Sequence, residues 1–141
     1  MRFTSLTEWL NWQESLHSTA IELGLDRVTE VFKRLHPKLP PIPVITVAGT
    51  NGKGSSVALL ESIYHNAGYK TGVYTSPHLL HYNERIHLNN EDVSDDVICE
   101  AFERIDQARL QEDKEISLTY FEFGTLAALD ISIALTLMWF F

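Results

Sequence analysis

Cysteine occurs once in the 141 residues, at Cys99. One thiol cannot close an internal disulfide or build a cysteine-based zinc site, so a reducing compartment is expected. Glycine (7) and proline (5) are sparse and without period, which excludes collagen-like and low-complexity classes. Positive charge is short as well. Eleven Lys and Arg stand against nineteen Asp and Glu, a net charge of −8. Such a chain lacks the basic footprint of a general nucleic-acid binder. Long apolar runs are missing. Residues 131–141 form an apolar run of eleven, preceded by Asp130, where a bilayer span needs about 20. The first residues, Met1 to Glu8, hold no signal-peptide core. These absences predict a cytoplasmic protein with neither nucleic acid nor membrane as partner.

What is present suits a globular core: 45% of the residues are hydrophobic and 11% aromatic. Ser5 and Glu8 have capping-box spacing, ahead of Leu6, Trp9, Leu10, Gln13 and Leu16 at helical intervals. A second helix is predicted from Leu25 to Leu35, with Leu25, Val28, Phe32 and Leu35 on one face and Pro37 as its stop. Residues 37–43 hold four of the five prolines and read as a connector. The β-branched run Val44-Ile45-Thr46-Val47-Ala48 then predicts a buried parallel strand. A helix with Val57, Leu60, Ile63, Tyr64 and Ala67 follows, stopped by Gly68, and a strand over Thr71–Thr75 completes a βαβ pattern. Further on, residues 85–88 form a short extended piece, and Ser94 caps a helix whose apolar face is Val97, Ile98, Ala101, Phe102 and Ile105. Residues 91–115 carry ten acids and three bases, which reads as a solvated outer face.

The chemistry lies between the first strand and its helix. Gly49-Thr50-Asn51-Gly52-Lys53-Gly54-Ser55 is a glycine-rich loop leading into a helix N-terminus. Backbone N–H groups there converge on one spot, and the helix dipole favours an anion. Glycines let the backbone close around phosphates, Lys53 adds a mobile charge, and the Ser55 or Ser56 hydroxyl can serve a phosphate or hydrated Mg²⁺. The strict G-x-x-x-x-G-K-[ST] pattern is not met: Val47 stands at its first glycine and Gly54 follows the lysine. His78, His81 and His87 fit no metal-ligand spacing, and Cys99 reads as an inert small hydrophobe.

Val-Ala-Gly-Thr-Asn-Gly-Lys-Gly-Ser at 47–55 resembles the nucleotide loop of folylpolyglutamate and dihydrofolate synthases, in the Mur ligase superfamily. Four other segments resemble the same family in order: 16–18 with 23–28, Tyr74 to Leu79, Glu84-Arg85-Ile86, and Ser117 to Thr125. The resemblance covers about residues 5–129. It implies an α/β fold, an incomplete P-loop parallel sheet flanked by helices, after an N-terminal helical segment. The implied layout is N-terminal helices and connector over 1–43, a partial ATP-binding domain over 44–129, and a divergent apolar tail over 130–141.

The activity so implied is an ATP-dependent ligase. It phosphorylates a carboxylate of dihydropteroate or a reduced folate, and the amine of L-glutamate displaces the phosphate. Gly49, Thr50, Asn51, Gly52, Lys53, Gly54 and Ser55 would hold ATP, with Lys53 as the catalytic charge. Ser76 would be a Mg²⁺ ligand. Ala20, Ile21, Glu22, Leu23, Thr119, Tyr120, Phe121 and Glu122 would border the pterin substrate. Read without the resemblance, Tyr120, Phe121 and Phe123 are core residues, and Ser76 is a turn serine before Pro77.

The family pattern continues into a strand ending in a Glu-Val-Gly-Leu-Gly-Gly type motif, whose glutamate binds Mg²⁺. A later histidine and lysine and a C-terminal domain complete its site. After Leu129 this sequence instead reads Asp-Ile-Ser-Ile-Ala-Leu-Thr-Leu-Met-Trp-Phe-Phe. An interrupted reading frame would produce such an end, and the apolar tail predicts association with another chain. The expectation is a ligase fragment unable to complete catalysis alone. The alternatives are a standalone P-loop nucleotide-binding module without ligase activity, and a piece that works only when paired with a separately encoded remainder.

Overall fold

A computed structural model of the chain describes residues 1–16, 24–39, 41–111 and 114–137. The described residues divide into two compact units. The first comprises Met1–Lys38 and Ser94–Ile131, and the second Leu39–Val93 with the residues from Ser132 on.

The first unit is helical: α1 (Leu6–Leu16), α2 (Asp26–Leu35), α4 (Asp95–Arg109) and residues 120–131 of α5 (Tyr120–Leu137). The capping box opens α1 as its spacing predicts. Ser5 N–H donates to Glu8 Oε2 at 3.1 Å, and Glu8 N–H donates to Ser5 Oγ at 3.3 Å. Ser94 Oγ caps α4 by accepting from the Val97 N–H. The core joins the Trp9, Phe102 and Phe123 rings: Trp9 and Phe102 centroids lie 5.9 Å apart, as do those of Phe102 and Phe123. Val31 is the buried residue of α2, whereas Leu25 is exposed. Val28, Phe32 and Leu35 of the predicted face are half-buried beside Val31, and Leu25 is the exposed N-cap. Arg34 from the same helix donates to the carbonyls of Ala108 (3.1 Å) and Gln111 (3.0 Å), satisfying the end of α4.

Two acids in this unit are buried, and one of them, Asp106, belongs to the stretch predicted as a solvated face. Asp106 is buried and accepts from Arg109 Nε at 2.8 Å and Arg2 Nε at 2.8 Å. Asp130, within the apolar α5, accepts from Arg104 Nη2 at 2.6 Å and lies 2.9 Å from His36 Nε2. No helix among the described residues is long and apolar enough to cross a membrane.

The second unit holds the glycine-rich loop. Its helix α3 runs Lys53–Asn66, and the antiparallel sheet β1 (Gly72–Tyr74), β2 (Ile86–Leu88), β3 (Glu91–Asp92) is ordered β1-β2-β3. α3 ends in a Schellman motif about Gly68, which has φ +88°. Gly68 N–H donates to His65 O and Tyr69 N–H to Tyr64 O, both at 3.0 Å, and the Tyr64 and Tyr69 rings meet edge-on. β2 and β3 are joined by the two-residue turn Asn89-Asn90, with φ of 54° and 69°. Positive φ at both positions is the mark of a type I′ hairpin, and asparagine tolerates it.

The α/β class holds, but the pairing around the loop differs from expectation. Residues 44–48 join no ladder among the described residues, and Val44 is 75% exposed. A parallel strand is held by flanking strands, and the three strands formed here pair antiparallel with one another. Along α3, Leu59 and Ile63 face outward, Val57 and Leu60 are half-buried, and the buried residue of the helix is Glu61.

β1 meets the last turns of α5 closely. A Cβ added at Gly72 would collide with Ser132 Oγ and stand 2.8 Å from Ser132 Cβ. Gly72→Ala is therefore expected to destabilise the second unit by about 1–3 kcal/mol through overpacking. Urea unfolding followed through the β1 amides measures this. Combining it with Ser132→Gly should recover most of the loss.

Candidate functional site

The glycine loop is positioned by α3. Gly52 is the N-cap residue with φ +76°, a left-handed conformation that glycine adopts without Cβ strain. Ser56 N–H donates to Gly52 O at 3.0 Å, the first bond that draws the loop into the helix. The preceding amides point out of the N-terminus, where the dipole places partial positive charge. Lys53 folds back over the loop and donates to Gly49 O at 2.5 Å and Thr50 O at 3.4 Å. Residues 49–56 are exposed throughout. The predicted phosphate-contacting groups thus lie together on one accessible loop, with the lysine close to the amides it would assist.

Ser76 lies in the same unit, on the segment leaving β1, before a cis bond to Pro77. The segment is tied at its base, where Thr75 N–H donates to Arg85 O at 2.9 Å. It is organised from within by Glu84, in a 3₁₀ turn (Tyr82–Arg85). The Glu84 carboxylate accepts from the N–H groups of Leu79 (2.8 Å), Leu80 (2.8 Å) and His81 (2.6 Å). Arg85 Nε donates to His78 Nδ1 at 2.8 Å, and the His78 ring packs against Tyr82. Ser76 itself is exposed. The arrangement is a braced loop presenting one hydroxyl.

The three N–H bonds hold the Glu84 carboxyl down at about 2, from an ordinary value of 4.5. A depressed carboxyl stabilises the loop fully above about pH 4.5, and that contribution drains away as pH falls towards 2. The Leu79–His81 amides are expected to lose exchange protection across that window. Glu84→Gln should remove the pH dependence, as hydrogen exchange at stepped pH would record.

The residues predicted to border the pterin divide. Ala20, Ile21, Glu22 and Leu23 lie outside the described residues. Thr119, Tyr120, Phe121 and Glu122 open α5 in the first unit. Thr119 and Glu122 form a reciprocal capping box: Thr119 N–H donates to Glu122 Oε2 (2.8 Å) and Glu122 N–H to Thr119 Oγ1 (3.1 Å). Glu122 also takes Arg27 Nη2 at 3.0 Å. Phe121 is 52% exposed and Phe123 fully buried, so the aromatic run divides between surface and core. Arg27 was not singled out in the sequence. Thr-x-x-Glu capping spacing signals Glu122, but nothing local in the sequence pairs it with a residue 95 positions away. Arg27 also lines a cleft of about 370 Å³ with Asp26, Glu30 and Lys114 to Ser117.

Among the described residues no three His, Cys, Asp or Glu side chains are placed to share a metal ion. His87 instead lies between carboxylates, 3.2 Å from Glu61 and 3.0 Å from Asp92. Cys99 is buried in α4, where burial first, then Asp95 and Asp96, push its thiol up and keep it unreactive.

A glycine loop entering a helix N-terminus, in a chain of helices and a short sheet, defines a phosphate-loop α/β protein. Solved structures carry the same fold. Escherichia coli FolC in complex with DHPP and ADP matches with a TM-score of 0.86 at 46% identity, covering 94% of this chain and 31% of that one. The Yersinia pestis bifunctional folylpolyglutamate synthase/dihydrofolate synthase complexed with AMPPNP and Mn ion matches with a TM-score of 0.83 at 47% identity, covering 94% and 31%. The Haemophilus influenzae dihydrofolate synthase/folylpolyglutamate synthase is 50% identical over 127 residues, 89% of this chain and 28% of the relative. No family model matches the chain. The chain matches members of the dihydrofolate synthase/folylpolyglutamate synthase family over most of its own length, and it spans under a third of theirs.

Proposed function

We propose that the chain supplies the nucleotide-phosphate site of an ATP-dependent ligase that joins L-glutamate to dihydropteroate or a reduced folate. The observation that carries this reading is the exposed loop 49–55 at the N-terminus of α3, with Lys53 folded over it. The loop amides and the Lys53 ammonium would take the β- and γ-phosphates of ATP. These groups offer positioning and charge neutralisation, which dominate phosphoryl transfer.

The residues present also suit Mg²⁺. This ion keeps several waters and needs only one or two protein oxygens beside the phosphates, and the Ser76 hydroxyl offers one. Mg²⁺ would neutralise charge developing on the transferred phosphoryl group. Thr119 to Glu122, with Ala20 to Leu23, would border the pterin. Phe121 has an exposed ring face for stacking, while Glu122 is held by Arg27 and by its capping role.

Because the chain spans 28% of the Haemophilus relative, the residues completing the ligase site would come from the remaining length. A second reading, a nucleotide-binding module without ligation, draws on the same fact. Calorimetry with Mg·ATP tests the site. An ADP-release assay with dihydropteroate and glutamate separates the readings: binding without turnover fits both, and turnover that appears when the relative's remaining length is added in trans would exclude the standalone module. Turnover by this chain alone would overturn the incomplete-site reading.

A further inference from the structure

We infer that Glu61 is a positioning residue for the phosphate loop, anchoring α3 to the β2–β3 turn. The inference takes the phosphate-loop reading as the purpose of this anchor.

Helices of about 12–15 residues are marginal in water without tertiary support. α3 has 14 residues, and its apolar side chains supply little of that support, since Leu59 and Ile63 are exposed and Val57 and Leu60 are only half-buried. Its buried residue is a carboxylate. Glu61 Oε1 accepts the Asn90 N–H at 3.0 Å, and Oε2 lies 3.2 Å from His87 Nδ1. The left-handed φ values of Asn89 and Asn90 set the turn that presents this N–H. His87 is itself held by Asp92, 3.0 Å from Nε2.

The first turn of α3 is the end of the phosphate loop. A helix released at Glu61 frays from its N-terminus, and the loop amides lose their common direction. The anchor thus acts two turns away from Lys53, through the helix and without touching a phosphate.

The test is hydrogen exchange on the full chain, with and without Mg·ADP, for wild type, Glu61→Leu, Glu61→Gln and His87→Gln. The Ser56 amide, bonded to Gly52 O, reports the first turn, and the Thr75 amide, bonded to Arg85 O, reports the sheet. Glu61→Leu should speed Ser56 exchange about tenfold while leaving Thr75 within about twofold. Glu61→Gln, which restores an acceptor for Asn90, should recover most of the protection, and His87→Gln should cost about threefold. Affinity for Mg·ADP should fall by similar factors. Unchanged Ser56 exchange in Glu61→Leu would overturn the inference. Equal acceleration at Thr75 would also overturn it, by showing general unfolding. Absence of Mg·ADP binding by wild type would instead sink the phosphate-loop reading, while the ligand-free comparison still decides the anchor.

Discussion

Lys53→Ala should weaken Mg·ATP binding by about 10- to 150-fold, leaving the fold intact. Hydrogen bonds to charged groups are worth about 1.5–3 kcal/mol, which corresponds to that range. Lys53 is exposed and bonds only to the carbonyls of its own loop, Gly49 and Thr50, so its removal orphans no buried group. Binding requires the ammonium to leave those carbonyls for phosphate oxygens. Lys53→Arg should restore part of the affinity, because the charge remains while the planar guanidinium fits a compact loop less well. Titration calorimetry of the three proteins, with unfolding midpoints as a control, measures both expectations. The loss should shrink as salt rises, since the loop is open to solvent.

The largest stability effect is expected at Asp106. Its carboxylate joins Arg109 and Arg2 inside the first unit, and the Arg109 side chain is only 2% exposed. Removing one partner of a buried pair costs up to about 3–5 kcal/mol, and less where, as here, the Arg109 guanidinium keeps Glu115 at 2.8 Å. Asp106→Ala should therefore lower the urea midpoint of the first unit sharply. Trp9 and Trp12 belong to that unit and report its unfolding by fluorescence. Replacing an exposed acid of the same charge-rich stretch, Glu100→Ala, should change stability by less than about 0.5 kcal/mol. Equal effects at the two positions would contradict the burial argument.

Local signals in the sequence read through to the structure. The Ser5/Glu8 box, the Ser94 cap and the Gly68 stop depend on residues within a few positions of one another, so their spacing is sufficient. The glycine loop belongs to the same class, because a helix N-terminus and flexible backbone are encoded contiguously. The misreadings are non-local. Val44 to Ala48 has strand composition, but a ladder needs a partner strand, and the described residues hold none for it. Asp106 reads as solvent-directed until Arg2, from a distant position, meets it, and the partners of Asp130, Arg104 and His36, are also far from it in sequence. Glu122 shows both kinds at once: its capping role is local, and its bond to Arg27 crosses 95 positions. Glu61 gave no signal at all, since an acid among apolar helix positions ordinarily marks the solvent face.

The most direct test of the central claim is an amide chemical-shift titration of the full chain with Mg·AMPPNP. The account predicts saturable shifts concentrated at Gly49 to Ser55, with a second, smaller set around Ser76, and their loss in Lys53→Ala. Shifts confined to other residues while Gly49 to Ser55 stay unmoved, or no saturable shift at all, would contradict it.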